Sequence, residues 1–213
     1  MSEEHKQKLK SVIKDRVVIF IDAANLERSV QSFFVNPKEI PENFKRYYPD
    51  QLCWRVDYER FKNFFGGICD LKEIKFYSPD FQTDSHRKFF WFLKKVLKIK
   101  LSTKPLKEYS DHSADHPHRK ANFDVEISVD ATFNLNGYDT LILFSGDSDF
   151  EYLLKFLRGQ NKRAIVFSRS GHVAKELIPA CSHYFDLVDF RNEFLKIDIK
   201  KQKISPFSET RGS

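Results

Sequence analysis

The sequence predicts an α/β protein, a three-layer α/β/α sandwich around a central, mostly parallel sheet. Apolar runs at residues 17–21, 141–144 and 164–167 show no polar alternation, the pattern of strands buried on both faces. Between them lie segments with apolar residues at three- and four-residue spacing. Strands alternating with helices build parallel sheets through crossover connections. No internal repeat is visible.

Residues 1–15 alternate acids and bases and read as a charged arm or a frayed helix. Strand one runs from Val17 to Asp22, Asn25 opens the next segment, and a helix can start at Leu26. Asn36-Pro37, Ile40-Pro41 and Tyr48-Pro49 then punctuate the chain. Residues 35–52 therefore read as an irregular insertion carrying Lys38, Lys45, Arg46, Tyr47 and Tyr48. Asp57 caps a helix that Gly66-Gly67 stop, and Leu71 to Tyr77 is a second strand ended by Ser78-Pro79. A helix over residues 84–97 gathers Phe89, Phe90, Phe92, Leu93, Val96 and Leu97 into a core face, and a short strand spans residues 99–102.

The polar stretch 108–119 holds His112, His116 and His118. No cysteine stands nearby and the spacing matches no zinc pattern, so it reads as a substrate-facing loop. The following helix carries Asp124 in its first turn and sets Ile127, Ala131 and Leu135 on one face, while Asp130, six residues on, points elsewhere. After a turn at 134–137 comes the strand Thr140 to Phe144. Phe150 to Arg158 then repeats apolar residues at helical spacing, with Gly159 where a C-terminal cap belongs. Residues 163–167 form another strand, 172–180 a helix and 184–188 a last strand. From Lys196 the chain is lysine-rich, then rich in Ser and Thr, and reads as a disordered tail. The expected division is an arm (1–15), one domain (16–195) and a tail (196–213), since 213 residues suffice for one sizeable core.

A net charge of +6 permits a polyanionic partner. Cys53, Cys69 and Cys181 are odd in number and widely spaced, which suits thiols in a reducing compartment. The N-terminal stretch has no apolar core of a signal peptide, and no apolar run approaches the ~20 residues of a membrane span. A cytoplasmic location without a membrane partner is the expectation.

The chemistry concentrates at two strand ends. Leu141-Ile142-Leu143-Phe144 runs into Ser145-Gly146-Asp147-Ser148-Asp149, and the strand of residues 17–21 ends in Asp22-Ala23-Ala24-Asn25. If the strands are parallel neighbours, Asp22, Asp147 and Asp149 converge at the carboxyl edge, where open α/β sheets bind ligands. At about 5 Å and an effective dielectric near 20, each carboxylate pair repels by roughly 3 kcal/mol, which a divalent cation relieves. Capping accounts for either aspartate singly, with Asp149 at the head of the next helix and Asp147 in an Asx-turn. It gives no reason for two strand ends to be acidic.

The Asp22-x-x-Asn25 strand end, the Lys120-x-x-x-Asp124 helix entry with Asp130 six on, and Ser145-Gly146-Asp147-Ser148-Asp149-Phe150 together resemble the NYN domain of the PIN-like nuclease superfamily, nearest its LabA-like branch. The resemblance covers residues 16–190 and implies a PIN-like, Rossmann-like fold and a Mg²⁺- or Mn²⁺-dependent endoribonuclease. It implies Asp22, Asp124 and Asp147 as metal ligands, Asn25 and Asp149 completing the catalytic pocket, and Ser145 shaping its turn. Arg119, Lys120 and Arg169 are candidates for phosphate contacts on RNA, single-stranded or structured, and a homodimer is the candidate assembly. The insertion before Asp57, and Asn122-Phe123 in place of a small apolar pair, depart from the family pattern and bear on substrate choice. Two rivals stand beside this reading. One is a nucleic-acid-binding or regulatory module with a weakly active site. The other is a small-molecule phosphatase, against which Asp22-Ala23-Ala24 lacks a second aspartate two residues on.

Overall fold

The structure, a computed structural model, describes residues 3–105, 107–109, 118–120 and 122–200. Its first half comprises α1 (Glu3–Val12), β1 (Arg16–Asp22), α2 (Ala23–Gln31), β2 (Leu52–Val56), α3 (Tyr58–Gly66), β3 (Asp70–Asp80), α4 (Asp84–Trp91), β4 (Lys100–Pro105), β5 (Lys107–Tyr109) and β6 (His118–Lys120). The second half adds α5 (Asp124–Phe133), β7 (Thr140–Phe144), α6 (Glu151–Gly159), β8 (Arg163–Ser168), α7 (Leu177–Ala180), β9 (His183–Asp186), α8 (Arg191–Phe194) and β10 (Leu195–Ile199).

Six strands form the central sheet in the order β4-β3-β1-β7-β8-β9, and all neighbours are parallel. The chain works outward from β1 to one edge, then returns to the other side of β1 and works outward again. Strand order therefore reverses between β1 and β7, the crevice where doubly wound sheets take their ligands. β1 shows why its residues make a central strand. Val17, Ile19 and Ile21 pack into one core, and Val18 and Phe20 into the other. Helices α1, α2, α3 and α8 cover the first face through Leu9, Leu26, Phe61 and Phe194. Helices α5, α6 and α7 cover the second through Ile127, Leu154 and Leu177. On the first face Phe144, Phe167 and Phe185 stack across β7, β8 and β9 at ring separations of 4.8 and 5.2 Å. Phe61, Phe65, Phe190 and Phe194 meet them edge-on.

Several elements differ from the sequence expectations. The N-terminal arm contains an ordered helix, because Leu9 is fully buried on the sheet face. The insertion over residues 35–52 consists of three single turns, Pro37–Glu39, Glu42–Phe44 and Pro49–Gln51, and ends in β2. That strand pairs antiparallel with β10, so strand structure continues into the lysine-rich stretch as far as Ile199. β3 runs through Ser78 and Pro79 to Asp80, with β4 alongside. Helix α4 loosens into a π turn over Phe92–Val96, which leaves Val96 exposed. The helix expected at 172–180 shrinks to α7, and β9 ends two residues before Val188. Gly159 is the last residue of α6, and the left-handed residue beyond it is Asn161 (φ 58°). β5 and β6 pair as a short antiparallel ribbon, while His112 and His116 of the histidine loop lie outside the described residues.

Candidate functional site

Parallel pairing in register brings the two acidic strand ends together. Ile21 pairs with Phe144, so Asp22 and Ser145 leave neighbouring strands at the same level. Asp22 caps α2, its Oδ1 accepting from the Asn25 amide at 3.3 Å. Its Oδ2 accepts from the Ser145 hydroxyl at 3.2 Å. The Ser145 oxygen in turn accepts from the Asp147 amide at 3.3 Å. Asn25 closes the loop: its Oδ1 accepts from the Gly146 amide at 2.9 Å. The motifs Asp22-x-x-Asn25 and Ser145-Gly146-Asp147 are thus one hydrogen-bonded unit.

Gly146 is required at its position. A Cβ there would lie 2.2 Å from the His172 carbonyl oxygen and 2.6 Å from the Ser168 hydroxyl. The Gly146 carbonyl also accepts from the Ala174 amide at 2.9 Å, pinning the turn to the loop after β8. Asp147 caps a single turn over Ser148–Phe150, its Oδ1 accepting from the Asp149 amide at 3.2 Å. Capping therefore falls to Asp147, whereas α6 starts after Phe150 without a side-chain cap, and Asp149 is exposed to solvent.

Asp124, at the first residue of α5, faces this turn. One carboxylate oxygen each from Asp124, Asp147 and Asp149 lies within 4.8 Å of the others. Burial pushes the Asp124 carboxyl up to about 6, and the charges of Asp147, Asp149 and Asp22 add to the rise, while a hydrogen bond with the Asn122 side chain opposes it. Burial likewise raises Asp22, with Asp147 adding repulsion and the Asn25 and Ser145 bonds working against it. The three converging oxygens are hard donors of one sign in partly dehydrated surroundings. Such a donor set could hold a hard divalent cation. Asp22 stands beside the three, close enough for its charge to act on Asp124.

The remaining residues singled out in the sequence sort differently. Asp130 is turned away from the pocket, its carboxylate paired with the Lys75 ammonium at 2.5 Å and accepting from the Tyr77 hydroxyl at 2.9 Å. Arg169 donates to the Ser32 carbonyl at 2.6 Å and lies over the Phe33 ring, so it ties the loop after β8 to the end of α2. Arg119 and Lys120 sit on β6, a few residues before α5, and what their side chains reach lies outside the described residues. Phe123 is buried edge-on to Tyr77 with the Lys104 ammonium 4.5 Å from its ring centre. Sequence reasoning missed that Asn25 and Gly146 bond to each other, although both lie in the motifs it singled out.

Comparison with known proteins bears on the family and the fold. A relative from Synechococcus elongatus, the low amplitude and bright protein LabA, is 29% identical over 194 residues, covering 90% of this chain and 92% of the relative. A crystal structure of a Vibrio parahaemolyticus protein of unknown function shares the fold, with a TM-score of 0.63, 22% identity, and coverage of 86% of this chain and 97% of the other. The family model described as the NYN domain matches residues 16–189. The chain belongs to the NYN-domain family, in the LabA-like branch of the PIN-like nucleases.

Proposed function

We propose that this protein is a metal-dependent endoribonuclease that hydrolyses RNA phosphodiester bonds at the acidic pocket between β1 and β7. The observation that carries the reading is the meeting of Asp124, Asp147 and Asp149 within 4.8 Å at the sheet's switch point, in a chain of a nuclease family. These three side chains would hold Mg²⁺ or Mn²⁺. When bound, such a cation supplies Lewis acidity toward the phosphate oxygens and the attacking water. Asp22 faces the same pocket, and its raised proton affinity suits it to receive the proton that the water gives up. Ser145 holds the Asp22 carboxylate in place. Asn25 is a positioning residue, fixing the Gly146 amide and with it the turn that carries Asp147. Arg119 and Lys120 are assigned to backbone phosphate contacts, whereas Arg169 is engaged by Ser32.

The test is cleavage of end-labelled single-stranded RNA, structured RNA and matching DNA with Mg²⁺, Mn²⁺ or EDTA. Asp124→Asn and Asp147→Asn are expected to lower the rate on the order of 10²-fold or more, as losing one charge-stabilising group at a reaction centre does. Variants that cut as fast as the parent would move the chemistry elsewhere. RNA retained in a gel shift but uncut in Mn²⁺ would select the binding-module reading instead.

A further inference from the structure

On the first face of the sheet, a groove of about 600 Å³ opens beside α2, β2, α3, the end of β3 and α4. Five aromatic side chains, Trp54, Tyr58, Phe81, His86 and Phe89, line it among polar and aliphatic neighbours. Two features mark it as more than a gap in packing. The Tyr58 hydroxyl is buried without a hydrogen-bond partner, in a side chain only 7% exposed. A buried hydroxyl left unpaired costs free energy, so it suits a ligand that brings a partner. Phe81, by contrast, is held out at the rim, 51% exposed. Its loop is fixed by a bond from the Gln82 amide to Asp80 Oδ1 at 2.9 Å and by left-handed Gln82 (φ 54°). His86 backs the ring edge-on at 4.8 Å. Burial lowers the imidazole's affinity for a proton, which favours the neutral ring.

The groove opens at the same end of the sheet as the acidic pocket. Tyr77 is in register with Asp22 across β1 and β3, and the groove wall begins one residue further, at Ser78. Along α2, Glu27 lies five residues past Asp22, roughly 7.5 Å at the helical rise of 1.5 Å per residue. The charges do not suit a phosphate. Arg55 faces Asp198 at 3.4 Å, and Glu27 adds a second carboxylate. A neutral, flat group with a hydrogen-bonding edge fits better.

We propose that this groove is a nucleobase subsite, taking one unpaired base of an RNA strand whose phosphate lies at the aspartates, stacking it on Phe81 and meeting its edge with the Tyr58 hydroxyl. The proposal rests on the RNA-hydrolase reading and narrows it to single-stranded RNA. A base inside a duplex has both faces stacked and its edge paired, so it cannot enter.

Trp54 lines the groove and provides a readout independent of cleavage. In a Trp91→Phe background it is the sole tryptophan, and a single-stranded RNA octamer in EDTA is expected to change its fluorescence saturably. Phe81→Ala, at an exposed ring, is expected to raise the dissociation constant about 5- to 150-fold, the range that base–aromatic stacking carries. Tyr58→Phe keeps the ring and removes the hydroxyl, and is expected to raise it roughly 3- to 10-fold. A duplex of the same sequence should give no signal. A Trp54 signal indifferent to RNA, or Phe81→Ala binding as tightly as the parent, overturns the subsite. If the parent cuts no RNA while Trp54 still responds through Phe81, the hydrolase reading falls and the subsite stands. If Phe81→Ala binds and cuts undiminished, the reverse holds.

Discussion

Burial and like charge act on Asp124 in the same direction, and both favour its protonated form. The carboxyl moves from an ordinary value of 3.8 to about 6 on folding, so the folded chain holds that proton more tightly between those two values. The contribution to stability is fully present below about pH 4 and is lost as pH rises through about 6. A bound divalent cation reverses the preference, since it requires the carboxylate. Thermal melts in EDTA from pH 4.5 to 7.5 are therefore expected to fall less steeply for Asp124→Asn than for the parent. The stabilisation given by Mn²⁺ should grow across the same range for the parent only. A parallel decline in both proteins would mean that Asp124 titrates normally. Asp22 and Asp147 were legible in the sequence, because an acid directly after a buried apolar strand adds nothing to the core and sits where ligands bind. Asp124, at the head of a helix, was singled out through the family resemblance. Which three oxygens meet was not legible. Asp149 reaches the group because Asp147 takes the capping role, a choice made by a turn only three residues long.

At the scale of elements, the buried strands were readable because each carries its own signal, four or five apolar residues without alternation. β2 and β10 were not, for a physical reason. Each is five residues long, and they pair across most of the chain, Leu52 with Ile199 and Val56 with Leu195. Neither periodicity nor turn chemistry announces a partner so far away. The pair nevertheless supports the groove, since Trp54 lies opposite Ile197 in its register and Asp198 holds Arg55. Ile197 is 7% exposed in the same core as Phe61 and Trp54. Ile197→Ala is expected to cost about 2–4 kcal/mol in urea denaturation, as large-to-small changes in cores do. The neighbouring Lys196→Ala, on the exposed side of the strand, should cost less than about 1 kcal/mol despite its 3.6 Å contact with Asp57. Equal effects at the two positions would show that β10 is not docked through Ile197. The shortened helix at 172–180 has the opposite lesson. The segment after β8 is drawn to the Gly146 carbonyl through the Ala174 amide, and that tertiary bond replaces a local helical one.

For the molecule as a whole, the doubly wound order separates two kinds of recognition at one sheet edge. The acidic pocket lies between β1 and β7, and the aromatic groove opens beyond β3 on the α2 face. Phosphate contacts must come from the basic chain around them, which carries a net charge of +6. On the proposed reading these contributions respond differently to salt. Each phosphate neutralised by Lys or Arg releases counterions and steepens the fall of log K with log salt by about 0.7 for a single strand. Base stacking releases none. Anisotropy titrations of a single-stranded RNA with the Asp124→Asn protein, from 50 to 300 mM KCl, should therefore separate the two. Lys120→Ala and Arg119→Ala are each expected to reduce the slope by about 0.7. Phe81→Ala should weaken binding at every salt concentration and leave the slope unchanged. A slope that flattens in Phe81→Ala, or stays fixed in both basic variants, would place the phosphate path away from β6 and the entry to α5. The strand would then have to reach Asp124 from the side of the sheet where β8 and β9 lie.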